Sequence, residues 1–194
     1  MTRPEALPAA LFLVVAFSAS GWLQVRWLRS PRGAALRVPL DGGLELRGRR
    51  VFGAHKTLRG LLVMVPASGL ACLALSLALG PFDAAAARLW ALGPAGYLGL
   101  GLAGGLGFML GELPNSFLKR QLGVPPGGAP RGRFTRALCF AGDRLDSVLG
   151  MLAGVHVAAG VPPGAWLAVL LAGPLVHWLF NVLLWRRGFK ARPA

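Results

Sequence analysis

Five apolar stretches, each close to or above the length that crosses a lipid bilayer, dominate this chain of 194 residues. A helix rises about 1.5 Å per residue, so roughly 20 apolar residues span the hydrocarbon core. Runs of this length and composition are typical of membrane-spanning helices. The sequence therefore predicts an all-α integral membrane protein, a single membrane domain over residues 1–194 with about five transmembrane helices. The stretches cover residues 6–25, 60–80, 94–113, 145–161 and 165–185.

The overall composition agrees with a membrane protein. Hydrophobic residues make up 55% of the chain and charged residues only 14%, whereas soluble domains average about 25% charged residues. The formal net charge of +14 is also typical of nucleic-acid binding, but these charges are confined to a few loops. We therefore predict no nucleic-acid partner; the bilayer, anionic headgroups and phosphate substrates are the expected partners. Cys72 and Cys139 have no metal-binding or disulfide spacing, and we interpret both as packing residues.

The positive charges predict how the chain crosses the membrane. Of the 21 Lys and Arg residues, 19 fall on one side of the predicted spans, and only Arg3 and Arg88 remain for the other. The positive-inside rule then places the N-terminus outside and the C-terminus in the cytoplasm, in the cell inner membrane as a multi-pass protein. The predicted cytoplasmic segments are a basic loop at 26–59, a basic Pro/Gly-rich loop at 119–142 and a basic tail at 186–194.

Two local patterns add detail to this plan. Asp41-Gly42-Gly43 is a turn signal, and residues 44–47 alternate apolar with charged side chains, which predicts a short hairpin. In the third stretch, Gly101 with Gly105 and Gly107 with Gly111 have small-xxx-small spacing, which indicates helix packing. A dinucleotide site is excluded there because no polar loop surrounds the glycines.

Three of the seven acidic residues lie in two short clusters where apolar stretches meet basic loops. A charged side chain at the bilayer centre costs about 2.5–3.5 kcal/mol on insertion scales and less near the ends, so such residues usually have a function. In the first cluster, helical spacing places four polar side chains on one face. Pro114 lies within that turn and predicts a kink. The four are Glu112, Asn115, Ser116 and Lys119.

The second cluster is Asp143-Arg144-Leu145-Asp146-Ser147, with its two carboxylates at i and i+3. Carboxylates from two neighbouring helices can hold Mg²⁺ and leave ligand positions for phosphate and water. Two simpler interpretations stay open at this point. Glu112 could pair with Lys119 or Arg120 at a helix end, and Asp143 could cap the fourth span.

A third polar segment, residues 53–60, precedes the second span. Lys56, Thr57 and Arg59 offer hydrogen-bond donors to a phosphate, and glycines at both ends permit close backbone approach. The spacing of a P-loop is absent. The alternative is a membrane-proximal basic stretch that binds lipid headgroups.

Taken together, these segments resemble the CDP-archaeol synthase family and, more distantly, the phosphatidate cytidylyltransferases. The resemblance is carried by residues 41–43, 48–60, 111–120 and 143–147. It implies Mg²⁺-dependent transfer of a cytidylyl group from CTP to a lipid phosphate, either phosphatidate or an archaeol-type phosphate. Glu112 stands where the family commonly has Asp, and Leu58 stands where a Trp is usual. Homo-oligomer formation is left open.

The hypothesis assigns a role to each polar residue. Metal ligands are Glu112, Asp143 and Asp146, and the catalytic set is Asp143, Asp146 and Lys119. The alternative function is a non-catalytic membrane transporter or lipid-binding scaffold. Transporters usually place ionisable groups near the midplane within repeats, and neither feature is evident. Substrate contacts are predicted for Lys56, Thr57, Arg59, Asn115, Ser116, Arg120, Arg144 and Ser147.

Overall fold

The computed structural model describes residues 3–125, 128 and 132–186 of the chain. Five long helices form the body of the protein, which confirms the all-α class. Two short helices, α2 (Pro31–Ala35) and α4 (Asp83–Ala86), and one two-stranded hairpin, β1 (Glu45–Leu46) and β2 (Arg49–Arg50), lie between them. The long helices are α1 (Ala6–Leu28), α3 (Leu58–Leu79), α5 (Pro94–Gln121), α6 (Arg133–Ala159) and α7 (Pro163–Arg186).

Four of these helices are long and apolar enough to cross a membrane, namely α1, α3, α5 and the part of α7 up to Phe180. They confirm a multi-pass membrane protein. The predicted fourth span lies within α6, which is long enough but also carries Arg133, Arg136 and the Asp143–Asp146 cluster. Those charges lower its mean hydropathy, so α6 is not among the helices that qualify by length and apolarity.

Helix α6 nevertheless runs alongside α5 in the antiparallel direction. An added Cβ at Gly107 would meet the carbonyl oxygen of Gly150, and one at Gly111 would meet the carbonyl oxygen of Asp146. Further along, Gly154 lies against the backbone of Ala103. Because glycines let the two backbones touch, the polar face of α6 is held directly against α5.

The other glycine pair of α5 packs against α3. A Cβ at Gly101 would meet the carbonyl of Ser68, and one at Gly105 would lie 3.0 Å from the Ser68 side chain. The prediction that both glycine pairs are packing surfaces is therefore confirmed. Gly101 and Gly105 contact α3, whereas Gly107 and Gly111 contact α6. Helix α5 therefore packs between α3 and α6 and is the central helix of the bundle.

The core lies between α1, α3, α5 and α6 and includes buried residues from the first half of α7. Leu13, Leu100 and Leu152 are fully or almost fully buried, and Phe12 packs against Tyr97 with ring centroids 5.4 Å apart. The predicted packing role of Cys72 is confirmed, since its side chain is completely buried.

The hairpin predicted in the first basic loop is present, but its turn lies further along the chain. Strands β1 and β2 pair antiparallel with Leu46 opposite Arg49, and the turn is Arg47-Gly48, with φ of 54° and 72°. Positive φ at both positions is the geometry of a type I′ hairpin turn. The Asp41-Gly42-Gly43 turn instead precedes the hairpin.

The basic loops are less open than predicted. Of the 26–59 loop, α1 covers the start and α2 adds a helical turn. The 119–142 segment is helical at both ends, because α5 continues to Gln121 and α6 begins at Arg133. The sequence signal failed there because charged residues can continue a helix into the aqueous phase. Residues 126–127, 129–131 and the tail beyond Arg186 lie outside the described residues.

Contacts at each end of the bundle match the predicted alternation. Arg88 donates to Glu5 at 2.8 Å, and Trp90 donates to the carbonyl of Gly160 at 2.7 Å, so the N-terminus and two connections share one end. Lys56 and Glu112 form an ion pair at the other end. Which end faces the cytoplasm rests on charge alone and stays a prediction.

Cysteine labelling will test that orientation. In a Cys139→Ser background, we expect Phe82→Cys to react with a membrane-impermeant maleimide added outside intact cells, because Phe82 is 63% exposed at the predicted outer end. Leu44→Cys, at a position 69% exposed in the basic loop, is the matched inner probe and should react only after the membrane is opened. The reverse pattern would contradict the predicted topology.

Candidate active site

Polar side chains from α5 and α6 meet at the basic end of the bundle. Asn115 on α5 donates its side-chain N–H groups to Asp143 at 2.7 Å and to Asp146 at 2.8 Å, both on α6. One turn further along α5, Lys119 forms an ion pair with Asp143. Their i, i+4 spacing on α5 allows both side chains to reach the same stretch of α6.

Ser147 joins the two acidic clusters. Its hydroxyl lies 2.8 Å from Oε1 of Glu112 and 3.1 Å from Oδ1 of Asp146. Since the Asn115 amide links Asp146 to Asp143, the three carboxylates belong to one hydrogen-bonded network. The structure thus brings the two sequence clusters together.

The third polar segment reaches the same place through one residue. Lys56 lies two residues before α3 and forms an ion pair with Oε2 of Glu112. The simpler interpretation, in which Glu112 pairs with Lys119 or Arg120, is therefore not what the structure shows. The capping interpretation of Asp143 is also wrong, because α6 begins ten residues earlier, at Arg133.

The other predicted substrate-binding residues have different surroundings. Arg59 donates to the carbonyl of Gly33 and so holds α2 against the start of α3. Thr57 pairs its backbone with Pro39 in an isolated β-bridge, and Arg144 stacks on the ring of Phe140 with its guanidinium carbon 3.3 Å from the centroid. No described contact joins Ser116 to the carboxylate network.

Buried nitrogens without a hydrogen-bond partner occur at Arg59, whose Nε lacks one, and above all at Arg120. Nε and Nη1 of Arg120 make no hydrogen bond to any described residue. A buried charged donor without a partner is costly. An anionic ligand near the C-terminal end of α5 would supply the missing acceptor.

A cavity of about 330 Å³ opens from the carboxylate network between α1, α5, α6 and α7. Its polar end is formed by Glu112, Asp143, Arg144 and Ser147. Ser18 and Gln24 of α1 also line the cavity, and the other lining side chains, from all four helices, are apolar. They include Leu13, Val14, Phe17, Val25, Phe108, Val148, Met151, Val169, Val176 and Phe180.

The residues of the network fit a magnesium ion by chemistry. Mg²⁺ prefers hard oxygen ligands and is usually held by one or two carboxylates together with water and substrate phosphates. Glu112, Asp143 and Asp146 supply such oxygens from two facing helices. Within the described ranges, no three Asp, Glu, His or Cys side chains are already grouped as a metal site.

Sequence reasoning placed Asp41 in a turn and in a segment that carries the family resemblance but gave its side chain no role, and the structure makes it a central residue of the basic loop. Its side chain is fully buried and forms an ion pair with Arg50. It also accepts backbone N–H groups from Phe52 at 3.0 Å and Gly53 at 2.9 Å. An Asp before two glycines and near several arginines was the available signal.

Curated proteins of similar sequence are CDP-archaeol synthases. The chain is 33% identical over 162 residues to the CDP-archaeol synthase of Thermococcus onnurineus, covering 80% of this chain and 82% of the relative. It is 34% identical over 161 residues to the CDP-archaeol synthase of Halorubrum lacusprofundi, covering 80% and 83%. The Pyrococcus furiosus CDP-archaeol synthase is 33% identical over 162 residues, covering 80% and 83%.

A solved structure supports the same relationship. It is described as an intramembrane enzyme for archaeal membrane lipid biosynthesis, and it superimposes with a TM-score of 0.63 at 26% identity. The match covers 93% of this chain and 97% of the other. The family model described as CarS-like, CDP-archaeol synthase, matches residues 35–193, which include all three polar segments. The chain therefore belongs to the CDP-archaeol synthase family.

Proposed function

We propose that this protein transfers a cytidylyl group from CTP to the phosphate of a membrane lipid at the cytoplasmic face of the inner membrane. The products are a CDP-activated lipid and pyrophosphate. The observation that carries the proposal is the cavity that joins an apolar space between four helices to a cluster of carboxylates, lysines and an arginine. Such a site suits a substrate with a hydrocarbon chain and a phosphate head.

The reaction divides into steps that the residues can support. An oxygen of the lipid phosphate attacks the α-phosphorus of CTP, a new P–O bond forms, and the bond to the β-phosphate breaks. Transfers of this kind depend on positioning and charge neutralisation more than on a protein nucleophile. The side chains must therefore hold two anionic substrates side by side.

Basic side chains supply the neutralising charge. Lys56 and Lys119 lie on either side of the carboxylate network, paired with Glu112 and Asp143. Arg120 adds buried nitrogens with no partner among the described residues. These cations stabilise the negative charge that builds up on the leaving pyrophosphate.

Glu112, Asp143 and Asp146 would hold Mg²⁺, which when bound neutralises the triphosphate and polarises its α-phosphorus. Asn115 and Ser147 keep these carboxylates in register by bridging them. We assign the lipid phosphate to Arg144, because this arginine lies at the polar end of the cavity.

The direct test is an assay of the purified protein with radiolabelled CTP and Mg²⁺. Phosphatidate and an archaeol-type ether-lipid phosphate are offered separately, and labelled CDP-lipid is separated from CTP. We expect product with at least one lipid and none without Mg²⁺. A protein that binds these lipids but forms no CDP-lipid would instead be the lipid-binding scaffold.

The Lys56→Gln variant will test the role of the first basic loop. We expect kcat/KM for CTP to fall about tenfold to a hundredfold, because a charge-assisted hydrogen bond is worth about 1.5–3 kcal/mol. Arg88→Gln is the matched control, because this substitution also removes an ion pair, that of Arg88 with Glu5, at the other end of the bundle. An equal loss in both variants would show that general destabilisation is responsible.

A further inference from the structure

We propose that Asp41 is a positioning residue for the transfer reaction. Its carboxylate holds the loop between α2 and α3 in the one conformation that lets Lys56 reach the carboxylates of α5. The inference rests on the proposed function, in which Lys56 contacts the nucleotide phosphates. Within the described residues, the Asp41 side chain makes no contact with the carboxylate network of α5 and α6.

The carboxylate of Asp41 gathers donors from both sides of the hairpin. It accepts the backbone N–H of Gly43 at 3.1 Å, before the hairpin, and those of Phe52 and Gly53, after it. Arg50, the last residue of β2, adds a guanidinium whose Nε lies 3.3 Å away. A single buried anion therefore ties the start of the loop to its end.

Backbone contacts pass this order directly to Lys56. Gly53 has φ of 84°, a left-handed turn, and its carbonyl accepts the Lys56 N–H at 3.4 Å. On the other side, the carbonyl of Lys56 accepts the N–H of Leu40 at 2.8 Å, and Leu40 is the neighbour of Asp41. The Lys56 backbone is thus held between Gly53, which donates to the Asp41 carboxylate, and Leu40, the residue before Asp41.

The hairpin also has an independent anchor on α5. Arg49 donates to the carbonyl of Gln121, at the C-terminal end of that helix. The loop is therefore fixed to the helix at one point by Arg49 and at a second by Lys56 with Glu112. Asp41 sets the separation of these two points.

Aspartate is the residue that this position requires. Five donor groups converge on two carboxylate oxygens, and the Arg50 guanidinium, followed by the backbone N–H groups, holds the pKa of Asp41 well below its usual range. The depressed pKa means that this stabilisation is present above the ordinary value near 3.8 and is lost only as the pH falls through the lower folded value. An asparagine side chain at this position would replace one accepting oxygen by an NH2 group, which would face the N–H donors of the loop.

Spin labels will measure the loop without relying on enzymatic activity. Labels at Ala54→Cys and Leu118→Cys, both exposed, are placed in a Cys139→Ser background. We expect a narrow distance distribution in the parent protein and a broad one after Asp41→Asn. Glu5→Gln, which removes the carboxylate of an exposed ion pair at the far end, should leave the distribution narrow. An unchanged distribution in folded Asp41→Asn would overturn the proposal.

Arg50→Gln provides a second variant should Asp41→Asn fail to fold. It keeps the carboxylate and its backbone donors but removes the guanidinium. We expect a distribution broader than that of the parent protein. A distribution as narrow as that of the parent would contradict the role of the Asp41–Arg50 pair in holding the loop.

A double-mutant cycle then tests whether Asp41 acts through Lys56. Asp41→Asn alone should lower kcat/KM for CTP about tenfold, and in the Lys56→Gln background it should cost less than about twofold. Losses that multiply would overturn the positioning role. A parent protein without any transfer activity would refute the proposed function, while the spin-label result would still decide whether Asp41 orders the loop.

Discussion

Asp146→Asn is expected to leave the protein folded and inserted while cytidylyl transfer falls at least about a hundredfold, the loss typical for removing one preorganised charge at a reaction centre. The substitution keeps the shape of the side chain but removes its charge. Asp146 lies between Asn115, at 2.8 Å, and the Ser147 hydroxyl, at 3.1 Å. The amide oxygen can keep the bond from the Ser147 hydroxyl, and the backbone contact between Gly107 and Gly150 does not involve this side chain, so the packing of α5 against α6 should survive.

The measurement is initial-rate transfer from labelled CTP in detergent or vesicles, together with the thermal transition of each variant. Asp83→Asn is the matched control, because Asp83 is an exposed carboxylate in α4, away from the network. We expect it to have parental activity. Near-normal turnover of Asp146→Asn would remove Asp146 from the reaction centre.

Gly150→Ala is expected to separate α5 from α6 and to lower transfer about a hundredfold without touching any polar side chain. A Cβ at Gly150 would meet the carbonyl oxygen of Gly107 and would lie 2.8 Å from the Cα of Gly111. Neither backbone can move without shifting its helix. Ser147 is less than one turn away, and a displacement of about 1 Å near reacting groups can cost on the order of a hundredfold in rate.

Gly99→Ala supplies the control for this variant. Gly99 is also a helical glycine, in α5, but no atom lies within 4 Å of its added Cβ. The Gly99→Ala variant should keep parental activity. Alanine should also favour the helix by about 1 kcal/mol relative to glycine. Gly150→Ala should instead lose about 1–3 kcal/mol of stability through overpacking. Equal activity in the two variants would show that the α5–α6 separation does not control the site.

Features that depend on local periodicity could be read from the sequence. The spacing of Glu112, Asn115 and Lys119 correctly placed three polar groups on one face of α5. The glycine pairs of α5 correctly indicated helix packing, while the structure showed that they contact different helices. Both inferences rest only on 3.6 residues per turn, which any helix must obey.

Features that depend on partners in distant segments could not be read. Lys56 pairs with Glu112 across 56 positions of sequence, and Asp41 collects donors from residues up to 12 positions away. The length of α6 was also missed, because its charged first turns give no apolar signal. These contacts depend on the path of each loop, and loops lack the regular residue spacing from which helix faces can be predicted.

The sequence by itself determined that the chain forms apolar helices with most of its positive charge at one end, because burial in lipid and the cost of moving charge through it act on every segment separately. Only the tertiary structure decided which lysine faces which carboxylate, and that one buried aspartate orders the basic loop. The glycines of α5 and α6 bring those two backbones together and so pair Lys119 with Asp143. The path of the loop between α2 and α3 decides the partners of Lys56 and Asp41.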